Sequence, residues 1–192
     1  MNVVPFFLSA VLAFAGLAQA HAQPQALPGD SVYHLQAATV DAAGQPVPWP
    51  ALRGRPQVVS MFYGNCHLMC PLIVENAKSL QKQLAPRERA ALGIAMISLD
   101  PARDTPAAMR EVAQRHRVPD GWRFLIPAAN DVRAIASVLD VRYRFREDGS
   151  INHTSVLVLL DAEGRVRARS EVAGAAADPQ FLIQVKALLA ES

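Results

Sequence analysis

Cysteine is scarce in this 192-residue chain, which has two, Cys66 and Cys70. A bridge across four residues closes a tiny loop and restrains little of the unfolded chain, so a disulfide-built scaffold is excluded. The pair therefore points to reactivity or metal binding. Runs of Lys or Arg are also missing and the formal net charge is only +2, which excludes the basic footprint of a nucleic-acid partner. The 5 histidines are scattered, so no tract suits metal storage. No glycine-rich phosphate loop follows the first core strand.

Apolar residues make up 51% of the chain, enough to fill a real core. One long apolar run lies at residues 3–18, followed by the small-x-small pattern Ala18-Gln19-Ala20, with Ala20-His21-Ala22 as a second cut. It is shorter than the roughly 20 residues of a spanning helix, so residues 1–20 are expected to be a signal peptide, the alternative being an uncleaved anchor. The n-region carries no Lys or Arg, and no cysteine follows the run to take a lipid. Residues 21–30 read as a flexible lead-in and 31–192 as a single domain.

Within that domain, 31–35 and 36–40 have strand character, 41–44 form a turn, and 46–49 return as a short edge strand. Residues 57–63 are β-branched and aromatic, a buried strand. Pro71 opens a helix through about residue 84, with Leu72, Ile73, Ala77, Leu80 and Leu84 at helical spacing. Strands are expected at 92–99, 122–126, 141–146, 154–160 and 165–169. Thr105-Pro106, Asn130 and Asp178-Pro179 start helices. Strands alternating with helices, closed by a hairpin and a final helix, predict an α/β thioredoxin-like fold: a mixed central sheet flanked by helices, with extra N-terminal strands.

Cys66-His67-Leu68-Met69-Cys70-Pro71 sits where the buried strand hands over to a helix. Unpaired N–H groups and the helix dipole there favour a thiolate, which predicts a lowered thiol pKa. A spacing of four puts both sulfurs on one side, so a redox disulfide and a soft metal ion are both chemically open. Two thiolates leave most ions short of ligands, and a distant histidine is needed. His116 reads as an exposed cation at a helix end and His34 as a surface residue of an early strand. His67 could reach the ion only with strain. His153, in the loop 150–153 ahead of an apolar strand, faces the helix-start cysteines in a thioredoxin-like sheet and is the best candidate. Sulfur with imidazole suits Cu(I), and could also take Cu(II) or zinc.

The sequence resembles the Sco/SenC copper-chaperone family of respiratory oxidase assembly. The marks are Phe62-Tyr63-Gly64 before Cys66-x-x-x-Cys70-Pro71, then Ser98-Leu99-Asp100-Pro101-Ala102-Arg103-Asp104-Thr105-Pro106, then His153 leading into the strand 156–160 and Asp161-Ala162-Glu163-Gly164-Arg165. The resemblance implies a thioredoxin-like fold, an extracytoplasmic location and copper held by Cys66, Cys70 and His153. Two departures stand out. Asn152 occupies the place where many relatives carry Asp, and His67-Leu68-Met69 replaces a Pro-Asp-Val type of insert.

Three accessory residues remain. Met69 offers a weak thioether or merely fills a gap, and His67 is the strained alternative ligand. Asp100 either orients a ligand or starts the turn before Pro101, the turn being preferred. Alternating Arg142, Arg144 and Arg146 mark one face of an exposed strand, a solvated face or a docking surface for an acidic partner.

The expected function is a periplasmic or membrane-anchored metallochaperone delivering copper to the copper-site subunit of a cytochrome oxidase. Its expected partners are that subunit and other periplasmic copper or thiol-redox proteins. The alternative is a thiol-disulfide oxidoreductase using the Cys66–Cys70 pair to reduce that subunit's cysteines. A peroxide-consuming enzyme is disfavoured, since no Pro-x-x-x-Thr lead precedes Cys66.

Overall fold

The computed structural model describes residues 26–66 and 69–191. The expected signal peptide at 1–20, the first half of the lead-in and His67 lie outside the described residues. Strands β1 (Thr39–Asp41), β2 (Gln57–Phe62), β3 (Gly93–Ser98), β4 (Arg123–Pro127), β7 (Val156–Leu160) and β8 (Val166–Glu171) form one sheet in the order β1-β4-β3-β2-β7-β8. The pairs β2–β3 and β3–β4 run parallel, while β1–β4, β2–β7 and β7–β8 run antiparallel. A separate two-stranded hairpin joins β5 (Tyr143–Phe145) to β6 (Ile151–His153). The helices are α1 (Met69–Lys82), α2 (Pro86–Ala91), α3 (Pro106–Arg115), α4 (Val132–Val138) and α5 (Pro179–Ala190).

Position in the sheet explains composition. Every residue of β2, β3 and β7 is buried, and these central strands are mainly apolar, with the buried Gln57, Ser60 and Ser98 side chains hydrogen-bonded. β8 lies at an edge and alternates between exposed and buried positions. α1 lies against β2 and β7 through Ile73, Ala77 and Leu80, all at 0% exposure. α5 covers β8, with Asp178 accepting the Gln180 N–H at 2.9 Å as its N-cap. Thr105 likewise caps α3 through the Ala108 N–H.

Several local expectations are corrected. Residues 32–34 form a 3-10 turn rather than a strand, because Ser31 Oγ accepts the Tyr33 N–H and Trp49 Nε1–H donates to the Val32 carbonyl at 2.9 Å. Residues 49–52 form a second such turn, and the expected strand there shrinks to a single bridge from Val40 to Pro46. The N-terminal strands thus reduce to β1 on the β4 edge. α4 starts after Asp131, not Asn130, and the Asp131 carboxylate accepts the Ala38 N–H instead of capping its own helix. The short helix α2 was not expected at all.

Gly164 turns β7 into β8 with φ +88°, a conformation that disfavours a side chain. A Cβ there would lie 2.5 Å from the Tyr33 ring. Gly164→Ala is expected to lower the unfolding free energy by about 2 kcal/mol. Urea denaturation checks this, and an unchanged midpoint would refute it.

Candidate metal centre

β2 delivers the chain to the site with little freedom. After Phe62, Tyr63 is buried at 6% exposure, and Gly64 donates its N–H to both carboxylate oxygens of Asp104, at 3.0 and 3.2 Å. A Cβ on Gly64 would meet Asp104 Oδ1 at 2.8 Å, so glycine permits the close approach. Ser98 Oγ donates to the same carboxylate at 2.5 Å. Burial pushes the Asp104 carboxyl above its ordinary pKa, and the bonds from Ser98 and Gly64 oppose that shift.

The two cysteines are free thiols with different surroundings. Cys66 is half-buried and its Sγ accepts the Cys70 N–H at 3.3 Å, so the sulfur caps the first turn of α1. Cys70 is 4% exposed, and its Sγ accepts the Tyr63 N–H at 3.5 Å. Burial pushes the Cys70 thiol well up, and the hydrogen bond with Cys66 adds to the rise. The lowering expected from the helix start is overturned at Cys70, where desolvation outweighs the dipole and the Tyr63 N–H.

His153 ends β6 on the two-stranded hairpin, with Thr154 and Ser155 between it and β7, and is not in a loop as expected. Its Nε2 stands 3.8 Å from Cys70 Sγ. Its Nδ1 contacts the Thr154 carbonyl at 3.1 Å. A carbonyl only accepts, so Nδ1 carries the proton, and in the neutral ring Nε2 turns its lone pair to the sulfur. The Tyr63 ring stands edge-on to the imidazole, with centroids 5.9 Å apart. Tyr63 also latches the hairpin, its hydroxyl accepting the Ile151 N–H at 3.2 Å. Sequence reasoning missed this role, although an aromatic at the exit of a buried strand beside the cysteines was a visible signal. Burial raises the Tyr63 hydroxyl pKa, with the Cys66 thiol beside it.

The other candidates fall elsewhere. His34 is exposed and bonds the Pro28 carbonyl at 2.8 Å. His116 is not the exposed cation expected: it is half-buried at the α3 C-cap, with Nδ1 3.4 Å from Glu75 Oε1 on α1. With Arg115 and both cysteines it lines a cavity of about 120 Å³. Met69 is half-buried as the first residue of α1. Asp100 is buried and pairs with Arg103, whose other arm donates to the Gly149 carbonyl at 2.7 Å in the hairpin turn. The Asp100 carbonyl accepts the Arg103 and Asp104 N–H groups at 3.0 and 2.8 Å, the turn at Pro101 that the sequence suggested. Asn152 lies opposite Arg144 and is exposed, on the hairpin face away from His153. Among the described residues, no three His, Cys, Asp or Glu side chains are grouped closely enough to enclose an ion as they stand. The Cys70–His153 contact is in place, while Cys66 is engaged with the start of α1.

Residues 31–187 match the model of the SCO1/SenC family. The chain belongs to that family. It is 26% identical over 132 residues to a Stutzerimonas stutzeri protein named for copper binding, covering 67% of this chain and 64% of that relative. The chain thus spans less than two thirds of that protein's length. Among solved structures it is similar to a SCO1/SenC family lipoprotein from Bacillus anthracis, at 22% identity and a TM-score of 0.70 over 80% of this chain and 94% of the other. It is also similar to Bradyrhizobium japonicum ScoI with copper bound, at 19% identity and a TM-score of 0.67 over 80% and 98%. These likenesses establish the thioredoxin-like α/β fold of this SCO1/SenC protein.

Two outcomes test the site's supports. Tyr63→Phe removes the acceptor for Ile151 and is expected to cost about 1 kcal/mol and to speed amide exchange across 143–153; unchanged exchange at Ile151 would sink the latch. Asp104 binds its proton more tightly folded than unfolded. Its stabilising contribution is therefore full below the ordinary value of 3.8 and lost as pH rises through the raised native value. Asp104→Asn is expected to flatten the fall of stability across that mildly acidic window, read by urea midpoints against pH.

Proposed function

We propose that this chain is an exported copper-binding metallochaperone that holds the ion between Cys66, Cys70 and His153 and hands it to the copper site of a respiratory cytochrome oxidase. The observation that carries the reading is the 3.8 Å approach of His153 Nε2 to Cys70 Sγ with Nδ1–H engaged elsewhere. Sulfur and imidazole bonds of about 2.3 and 2.0 Å to a shared first-row ion at a trigonal angle imply a separation of about 3.7 Å. The pair therefore stands at ligand spacing. Rotation of the half-buried Cys66 side chain off the helix start would supply the third donor. Two soft sulfurs with one imidazole favour Cu(I), and the copper carried by the Bradyrhizobium relative supports the same metal.

Burial shapes how the ion is taken up. The Cys70 thiol resists ionisation, so copper must displace its proton and binding weakens as pH falls. Release follows by ligand exchange, an incoming thiolate or thioether displacing His153 or a cysteine. Met69 and His67 border the Cys66–Cys70 pair in sequence and are the accessory donors in this reading, whereas Asp100 acts through Arg103. Export fits the apolar leader and the lipoprotein nature of the Bacillus anthracis relative. Among the described residues no helix is long and apolar enough to cross a membrane. Membrane association, where it occurs, is assigned to the N-terminal segment.

The second reading, a dithiol reductase acting on the oxidase subunit, is favoured by the half-buried Cys66 set against a buried Cys70, the order of an attacking and a resolving thiol. Anaerobic Cu(I) titration with X-ray absorption separates the two. One copper per chain with two sulfur neighbours and one nitrogen is expected, and Cys66→Ala, Cys70→Ala and His153→Ala should each abolish stoichiometric binding. Full affinity and an unchanged spectrum in His153→Ala would remove the third ligand. A copper-free protein with a strongly reducing dithiol would favour the reductase.

A further inference from the structure

Next to the metal centre lies an apolar groove of about 650 Å³, within the range of natural ligand pockets. Its floor is Val40, Leu99, Ile126 and Val132, and Tyr143 and Phe145 form one wall. These two rings meet edge to face at 5.9 Å, and Phe145 is 57% exposed. On the far side of the same wall is a second hollow of about 460 Å³, lined by Arg133, Arg142 and Arg144. An aromatic partition thus separates an apolar slot from a basic one.

Charge decides what fits. Arg133, Arg142 and Arg144 are exposed, and none has an ion pair among the described residues. Most acids near this region have partners: Asp100 pairs with Arg103, Asp131 accepts the Ala38 N–H, Asp140 stands 3.9 Å from Arg169 and Asp148 4.0 Å from Arg146, while Glu147 and Asp148 share a separate hollow with Arg144 at the hairpin tip. We infer that the groove and its arginine-lined flank dock an extended partner segment with an apolar or aromatic anchor next to carboxylates, and that docking shifts the hairpin carrying His153.

The coupling is geometric. Tyr143 lies directly opposite His153 in the β5–β6 register. The hairpin pairs with no strand of the main sheet. Its polar ties to the body include Tyr63 Oη to the Ile151 N–H and Arg103 to the Gly149 carbonyl. Arg103 follows Pro101 and Ala102, which line the groove. An occupant seated against Tyr143 and Pro101 therefore presses on both the hairpin wall and one of its tethers. This deepens the copper-carrier reading by naming the chemistry of the acceptor's docking segment.

The test uses a labelled peptide, Glu-Glu-Leu-Phe-Glu-Glu, and its lysine analogue, with binding read by anisotropy on the metal-free protein. Saturable binding of the acidic peptide is expected, about tenfold weaker in Arg142→Glu/Arg144→Glu and at raised salt. Loss is expected in Ala129→Trp, a change at an exposed position that fills the groove. Equal binding of both peptides, or binding untouched by Ala129→Trp, overturns the proposal. So does a dimer that Phe145→Glu dissociates, since a second copy would then occupy the groove. On copper-loaded protein, saturating acidic peptide should speed copper removal by bathocuproine disulfonate about fivefold, an effect absent in Ala129→Trp, and no acceleration refutes the coupling. Failure of the chain to load copper would defeat the carrier reading while leaving the peptide result intact.

Discussion

The site depends on holding an imidazole against a sulfur that the fold has already taken out of water. Cys70 is buried at the start of α1, between the exit of β2 and the hairpin, and its thiol is pushed toward the neutral form. His153 reaches it from 83 residues away in sequence. What joins the two is Tyr63. Its N–H meets Cys70 Sγ, its ring meets the imidazole and its hydroxyl accepts from Ile151, two residues before His153 on β6. One residue at the end of a buried strand therefore sets the distance between the donors.

Behind that contact lies a second, carboxylate-centred brace. Asp104 gathers the Gly64 N–H and the Ser98 hydroxyl, tying the turn that leads to Cys66 to the end of β3. Asp100 and Arg103 extend the same loop to the hairpin at Gly149. The 98–106 segment thus ties the turn before Cys66 and the hairpin that carries His153 to the end of β3. Its carboxylates are taken up by a backbone N–H, a hydroxyl and an arginine, which suits buried groups that must be satisfied.

The hairpin differs from the rest of the scaffold. The six-stranded sheet is stapled by continuous ladders and a mainly apolar centre, whereas β5 and β6 pair with none of its strands and are tied to the segments after β2 and β3 by polar contacts and the buried Ile151. An element of low local stability next to a rigid one is where motion is expected to concentrate. In the copper reading, one donor sits on the hairpin and two flank the start of α1, so the carrier would weaken its grip on cargo without unfolding. Exchange would begin at His153.

The order of strands and helices was legible in the sequence because burial writes itself into composition. The run 156–160 is wholly apolar and 57–62 nearly so, Gln57 and Ser60 excepted, since both faces are covered, and Thr105-Pro106 and Asp178-Pro179 carry their caps locally. The strand-to-helix position of Cys66 and Cys70, and the choice of His153 over the other histidines, followed from the same pattern together with the family resemblance. Where short-range chemistry competed with tertiary contacts the reading failed. Residues 32–34 turned because Ser31 and Trp49 hold them, Asp131 gave its carboxylate to Ala38, and His116 was drawn to Glu75. Sequence alone determined the order of the core strands and longer helices and where the sulfurs and imidazoles lie along the chain. Only the tertiary structure decided that the Cys70 thiol is raised rather than lowered, that Tyr63 latches the hairpin, and how far Nε2 stands from sulfur. Desolvation and cross-chain distance are properties of the packed interior that no local pattern encodes.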